Sequence, residues 1–311
     1  MQRKTIGLIG TLPPEHLEQL ERRTGARVIN AENSKVQVLV AWAQDVPKIV
    51  SGIEQRPDLE WVHVRWAGVP PVVLQALANR PAILTNGSGA FGLAVAEYVL
   101  ALVLHHLKGF AAIQAAQRAA MWLPNHSFRE LRGTTVGIVG LGDLGRSTAR
   151  LLRACGVTLR GLRRSGRPCA EVDETFQVDD LDRFLEQLDV LVIAAPLTSD
   201  TEAMIGAREL ARLRRGALLV NVGRAQIVSE AAMLEALSCG QLSGAALDVF
   251  ASEPLAADSL LWRTPNVFIS PHCADATAQS RERSFQILLD NAARFMAGQP
   301  LRNIVDRELG Y

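Results

Sequence analysis

The stretch TVGIVGLGDLGRSTARLLRACGVTLRGL, residues 135–162, decides the architecture. It opens on an apolar run ending at Val139 and turns through Gly140, Gly142 and Gly145. Apolar residues at helical spacing follow over 146–154, and a second apolar run closes it at 158–162. Apolar run, glycine turn, amphipathic helix and apolar run together make a complete β-α-β unit. Each glycine answers a physical need. Gly140 permits a tight turn, Gly142 lets backbone approach a pyrophosphate, and Gly145 lets helix and strand pack closely. The helix start turns free N–H groups and partial positive charge towards the loop, so the unit reads as a dinucleotide-phosphate site that includes Asp143 and Leu144. A second glycine match, Gly87, Gly89 and Gly92, also follows an apolar run, but no second strand comes at the right distance. It reads as a loop near a domain junction.

The same alternation extends in both directions. Upstream, strand-like runs at 4–10, 27–31, 36–42, 60–66 and 82–86 are separated by helical stretches such as 14–24 and 71–79. Downstream, runs at 190–194, 217–222, 244–249 and 267–270 join the two of the quoted stretch to make six. Buried strands alternating with helices imply an α/β chain with two doubly wound parallel sheets. One long helix over 93–121, ended by Trp122, Leu123, Pro124 and Asn125, is expected to carry the chain between domains, and a last helix over 276–297 to return it. The expected division is 1–98 with 284–311 for one domain and 99–283 for the other, with the active site in the cleft between them.

Composition agrees. A chain of 311 residues, 48% apolar and 21% charged, can fill two cores. A formal net charge of +1 gives no nucleic-acid tract and no membrane-binding face. Cys155, Cys169, Cys239 and Cys273 are scattered without CxxC spacing, which excludes a zinc or disulfide framework and fits a reducing cytoplasm. The apolar start is too short for a signal peptide, and the run at 93–104, interrupted by Glu97, is too short to span a membrane. No His/Asp/Glu cluster demands a metal. His105 and His106 lie in the connector helix, and His16, His63 and His126 have no partner at ligand spacing.

The strand at 158–162 chooses the cofactor. A site for NAD(H) ends that strand in a carboxylate that binds the ribose hydroxyls. Here Leu162 is followed by Arg163, Arg164 and Ser165. Forked guanidiniums and a hydroxyl suit a 2′-phosphate, so NADP(H) is expected, with NAD(H) the weaker alternative.

Three segments follow late strands, where parallel sheets place their ligands. They are Asn221 to Arg224, Asp248 through Glu253 to Pro254, and Ser270 to His272. With these the chain resembles the D-isomer-specific 2-hydroxyacid dehydrogenases, from the Trp66, Ala67, Gly68, Val69 loop to the Pro271, His272 pair. The double-arginine loop is most similar to the glyoxylate and hydroxypyruvate reductase branch. The resemblance implies a flavodoxin-like substrate domain and a Rossmann nucleotide-binding domain. It implies an oxidoreductase passing hydride between NADP(H) and a small 2-keto or D-2-hydroxy acid, with Arg224, Glu253 and His272 as the catalytic set. The chemistry is coherent. Imidazole titrates near neutrality and can give a proton to a carbonyl oxygen, a carboxylate can hold the ring, and a guanidinium can grip the substrate carboxylate. The resemblance further implies that N–H groups of Ala67, Gly68 and Val69 bind that carboxylate and that Asp248 hydrogen-bonds the nicotinamide amide. Pro196, Leu197, Thr201, Val222 and Gly223 are then expected along the cofactor. Trp42 either lines the substrate site or packs in the core. A homodimer is implied, through the connector helix and the Trp122 arm.

Other readings stand beside this one. Formate dehydrogenases of the same superfamily carry Gln where Glu253 stands, which argues against that activity. Phosphite oxidation is not separated by motif. A dinucleotide-sensing corepressor is a different class, and such relatives usually carry a long disordered tail, whereas this chain stops at Gly310 and Tyr311.

Overall fold

In the computed structural model the described residues are 4–31, 35–123, 127–307 and 309–310; Pro124, Asn125, His126 and Tyr311, named above, lie outside them. Five strands, β1 (Thr5–Ile9), β2 (Arg27–Asn30), β3 (Val38–Ala41), β4 (Trp61–Val64) and β5 (Ile83–Thr85), alternate with α1 (Pro14–Thr24), α2 (Val46–Glu54) and α3 (Pro71–Leu77). The helix ends are written locally. α1 has proline in its first turn with Glu15, carries Arg22 and Arg23 in its last, and stops at Gly25 with φ of 68°. The strands form one parallel sheet in the order β2-β1-β3-β4-β5, the flavodoxin-like order.

The chain continues through α4 (Gly92–Leu107), α5 (Phe110–Arg118), β6 (Thr135–Val139), α6 (Asp143–Arg153), β7 (Thr158–Leu162), β8 (Glu174–Phe176), α7 (Leu181–Leu185), β9 (Val190–Ile193), α8 (Ala207–Arg212), β10 (Ala217–Asn221), α9 (Glu230–Ser238), β11 (Leu242–Leu247) and β12 (Val267–Ile269). α10 (Ala278–Met296) ends the series. The second sheet is also parallel, in the order β12-β11-β10-β9-β6-β7-β8. Its order reverses between β6 and β9, the arrangement of a doubly wound nucleotide-binding sheet.

Two expectations need correction. The single helix over 93–121 is two, α4 and α5, bent by 65° at Lys108 and Gly109. Gly109 has φ of 61°, a left-handed conformation that ends an α-helix, and a Cβ there would lie 2.9 Å from Phe128. The second sheet has seven strands, because β8 was not foreseen. It is an edge strand of three residues, of which Phe176 alone is buried, so it carries almost no pattern.

The chain divides into two compact units, one of residues up to Phe91 together with those from Thr277, the other Gly92–Ala276. The chain passes between them earlier than the expected residues 98 and 284. Each sheet is buried on both faces, which explains the near-continuous apolar runs. In the smaller unit Ile6, Leu20, Val40, Trp61 and Phe285 pack on one face and Leu39, Ile53, Val62 and Leu77 on the other. In the larger, β9 shows the alternation: Val190 and Val192 face the α4 and α6 side with Val99 and Leu152, while Leu191 and Ile193 face Phe184 and Leu210. Among the described residues no single helix is long and apolar enough to cross a membrane.

Candidate active site

Because all strands of the larger unit run parallel, the segment after each strand emerges at one edge of the sheet. Backbone bonds step across that edge: Gly140 N to Leu162 O at 2.9 Å, Ala194 N to Val139 O at 2.8 Å, Val222 N to Ile193 O at 3.1 Å, Asp248 N to Asn221 O at 3.0 Å and Ser270 N to Leu247 O at 2.9 Å. The chemistry-bearing segments leave from a fixed ladder.

The glycine loop sits between β6 and α6. Gly140 has φ of 92°, and a Cβ there would meet Ala195 backbone at 2.7 Å; one on Gly145 would meet Gly140 O at 1.9 Å. Gly142 differs, because a Cβ there would touch nothing within 4 Å. It is also the N-cap of α6 and has no side chain to cap the first N–H groups of that helix. This is a cradle that a phosphate fits and that a side chain would fill. Asp143 and Leu144, expected in the loop, turn their side chains elsewhere. Asp143 Oδ2 accepts the N–H of Gly92 at 2.9 Å, and Leu144 packs into the core. The first of these contacts also bears on the second glycine match, Gly87, Gly89 and Gly92. The helix after the Gly87 match starts at Gly92, and a carboxylate already sits on its first N–H.

Arg163, Arg164 and Ser165 leave the end of β7 in a turn closed by Gly166 N to Arg163 O at 3.2 Å. Arg164 and Ser165 are exposed and Arg163 half-buried. Arg167, which motif reading passed over, is exposed in the same turn, its N–H on Ser165 Oγ at 3.5 Å. After β9, Pro196 and Leu197 are exposed, and Thr201 ties their loop by donating to Pro196 O and accepting from Thr198 N, each at 2.8 Å. The Thr201 hydroxyl shapes the loop.

After β10 come Val222, Gly223 and Arg224. Buried Asn221 braces this turn, accepting from Gly223 N and donating to Arg224 O, each at 3.1 Å. A Cβ on Gly223 would lie 2.8 Å from Ala195 O. Arg224 donates to Gly223 O at 2.7 Å. Burial lowers its pKa and the nearby Glu253 carboxylate raises it, so a half-buried cation is kept beside an anion. After β11, Glu253 Oε1 accepts Phe250 N at 2.9 Å, leaving Oε2 for His272 Nδ1 at 2.8 Å. This bond puts the hydrogen on Nδ1, directs the ring and leaves Nε2 to work. His272 itself has φ of 51°, a strained conformation for a non-glycine residue that its surroundings must enforce.

The enforcement comes from Asp248. The residue is 2% exposed; Oδ1 accepts from Ser270 Oγ at 2.6 Å and Cys273 N at 2.9 Å, and Oδ2 from Ala274 N at 2.9 Å. It clamps both sides of His272. Nothing in the motif order pointed to this role, because the partners lie more than twenty residues away. Tyr98 of α4 lies beneath, its hydroxyl 3.8 Å from Cys273 Sγ. His106 also lies in α4, on Ser243 Oγ at 2.8 Å, and burial lowers its pKa, so it is a neutral structural residue.

The smaller unit holds the remaining expected residues. Among the described residues no acceptor lies on the N–H groups of Ala67, Gly68 or Val69, while Ala67 O is held by Asn86 Nδ2 at 2.6 Å. Trp42 packs edge-on against Phe285 with centroids 6.3 Å apart and lies 5.7 Å from the Arg65 guanidinium, so it packs and stays half-exposed.

Residues 100–274 match the family model described as "D-isomer specific 2-hydroxyacid dehydrogenase, NAD binding domain". A glyoxylate/hydroxypyruvate reductase A of Salmonella paratyphi C is 35% identical over 262 residues, covering 81% of this chain and 82% of that protein. Among solved structures, an NADPH-dependent glyoxylate/hydroxypyruvate reductase from Sinorhizobium meliloti, in complex with NADP and sulfate, superposes with a TM-score of 0.85 at 33% identity, covering 99% of this chain and 100% of that one. A D-isomer specific 2-hydroxyacid dehydrogenase from Xanthobacter autotrophicus Py2, in complex with NADPH and MES, gives a TM-score of 0.84 at 30% identity, covering 100% of both chains.

Proposed function

The chain belongs to the D-isomer specific 2-hydroxyacid dehydrogenase family, and from that premise we propose that it reduces small 2-keto acids, glyoxylate or hydroxypyruvate first among them, with NADPH. The observation that carries the reading is the His272–Glu253 pair, 2.8 Å apart at the same sheet edge as the glycine cradle. When bound, the cofactor supplies the hydride. The Gly140 to Gly145 loop and the start of α6 would hold its pyrophosphate, and Arg163, Arg164 and Ser165 its 2′-phosphate.

The chain's own groups do the rest. Arg224 pairs with the substrate carboxylate and polarises the keto group, which its half-buried position strengthens by reducing competition from water. His272 Nε2 delivers a proton to the carbonyl oxygen as charge develops there. Glu253 keeps the Nδ1 hydrogen throughout, so the ring neither flips nor changes tautomer. Glu253 also favours this reading over formate oxidation, which needs no proton relay.

The test is NADPH oxidation with glyoxylate, hydroxypyruvate, pyruvate and phenylpyruvate, repeated with NADH. Turnover with NADPH is expected. A tenfold or greater preference for NADH overturns the cofactor assignment, and absence of turnover by protein that binds the dinucleotide overturns the reaction. A cytoplasmic homodimer belongs to the same proposal, and the exposed apolar groups Phe110, Met121 and Trp122, the last 91% exposed, support the dimer. Sedimentation as a monomer contradicts it.

A further inference from the structure

The connection from β7 to β8 is unusual in joining two parallel, adjacent strands with residues 163–173 and no helix. It carries Arg163, Arg164, Ser165 and Arg167, yet between its own backbone groups two bonds are formed, Gly166 N to Arg163 O at 3.2 Å and Val172 N to Cys169 O at 3.3 Å, with Arg167 N on Ser165 Oγ at 3.5 Å beside them. Its position comes from elsewhere. Asp173 Oδ2 accepts Leu159 N at 2.7 Å, and Cys169 N reaches Thr175 Oγ1 at 3.1 Å. Two carboxylates of the returning limb then bind α6. The Asp173–Arg153 pair, 3.1 Å, is exposed on both sides and contributes little. Glu171 is different. Its side chain is 13% exposed, and Oε1 accepts from Arg146 Nε at 3.0 Å, Arg146 Nη2 at 2.8 Å and Arg150 Nη1 at 3.1 Å. The Cys169 thiol donates to Oε2 at 3.1 Å. The Arg146 hydrogen bonds, helped by the thiol, pull its carboxyl down to about 2.

We propose that Glu171 is the positioning residue for discrimination of the cofactor's 2′-phosphate: it locks the arginine turn to the helix that begins at the glycine loop. The proposal rests on the NADP(H) reading above. Arg146 follows Gly145 directly, so the clamp joins the pyrophosphate cradle to the turn through one rigid helix. It also has an electrostatic side. Arg146 and Arg150 are occupied by Glu171, so they do not act as loose cations near phosphates common to both dinucleotides. Among the described residues no carboxylate pairs with Arg163, whose charge is left for a ligand. Loss of the Glu171 charge frees two cations that attract any dinucleotide and loosens the turn that tells one from the other.

The experiment measures Kd for NADPH and NADH by nicotinamide fluorescence, and kcat/KM with each, for the wild type, Glu171→Gln, Glu171→Asp and Arg146→Lys. Glu171→Gln is expected to lower the NADPH-over-NADH ratio about tenfold, the scale of one charge-assisted hydrogen bond, with kcat at saturating NADPH changed less than about twofold. Arg146→Lys, which keeps charge but loses the fork, lowers the ratio less, and Glu171→Asp restores part of it. A merely structural role would lower the melting temperature and weaken both cofactors alike, and that result overturns the proposal. A ratio that is unchanged or rises in Glu171→Gln overturns it as well, while leaving the NADP(H) reading intact. A wild type that shows no preference for NADPH overturns both.

Discussion

Gly142→Ala and Gly145→Ala separate the two demands that the glycine loop meets. At Gly142 the backbone is extended, with φ of −80°, and an added Cβ meets nothing within 4 Å. The fold therefore tolerates alanine. The remaining cost is that of a poor N-cap, below about 1 kcal/mol, or at most about 2–4 °C for a unit of this size. The same methyl fills the open face that a pyrophosphate must approach. Overpacking of that kind costs about 1–3 kcal/mol, so dinucleotide binding should weaken about 5- to 150-fold. At Gly145 the added Cβ lies 1.9 Å from Gly140 O, and ordinary contact begins near 3.4 Å, so strand and helix must part by about 1.5 Å. That strain is borne by the apo fold, at about 1–3 kcal/mol or more, and the melting temperature should fall by roughly 2–12 °C. Thermal melts without cofactor and fluorescence titration with NADPH read the two effects apart. Gly142→Ala with an unchanged Kd would refute the placement of the phosphate, and Gly145→Ala with an unchanged melting temperature would refute the close packing.

Three further outcomes are expected. His272→Ala should cut kcat by about 10²- to 10⁴-fold with NADPH binding unchanged, and Glu253→Gln, which keeps the side-chain length but loses the charge on Nδ1, should lose less; single-turnover NADPH oxidation checks both, and full activity in His272→Ala rules out its role as proton donor. Asp248→Ala leaves Ser270 Oγ, Cys273 N and Ala274 N without their acceptor in a buried place. At about 1–3 kcal/mol for each stranded donor, the urea midpoint should fall clearly, and an unchanged midpoint contradicts the clamp. His63 is fully buried on Thr85 Oγ1, and desolvation lowers its pKa from 6.5 to about 3. Folded protein keeps it neutral while the unfolded chain takes up a proton below 6.5, so its contribution is complete above that pH and is lost as pH falls towards 3. The slope is at most about 1.4 kcal/mol per unit, or about 2 kcal/mol by pH 5. His63→Gln should remove that share of the difference between urea denaturation at pH 7 and pH 5; an equal difference in wild type and variant refutes it.

Local chemistry wrote much of this protein into its sequence. The span of α1 follows from its proline, its charges and Gly25, and β6 with α6 from an apolar run broken by glycines, because φ, propensity and periodicity act over a few residues. The segments that hold Arg224, Glu253 and His272 were legible because each follows a strand and parallel strands deliver their C-terminal ends to one edge, while the family resemblance implied that these three form the catalytic set. What sequence reading lacked was distance across the fold. A glycine inside a helix-like stretch does not reveal its sign of φ, so the bend at Gly109 stayed hidden until Phe128 was seen packed against it. β8 buries a single side chain and pairs only because β7 offers an edge.

The tertiary structure alone decided how the charged groups pair. Asp143 turns to Gly92, Asp248 grips both flanks of His272, and Glu171 binds Arg146, over separations that no local period spans. A carboxylate has no intrinsic directional preference along the chain; its partner is whichever donor the sheet order brings within about 3 Å. The kind of chemistry was therefore legible from residue types and their order, whereas the strained, clamped form in which His272 presents its ring exists only after β11 and β12 lie side by side.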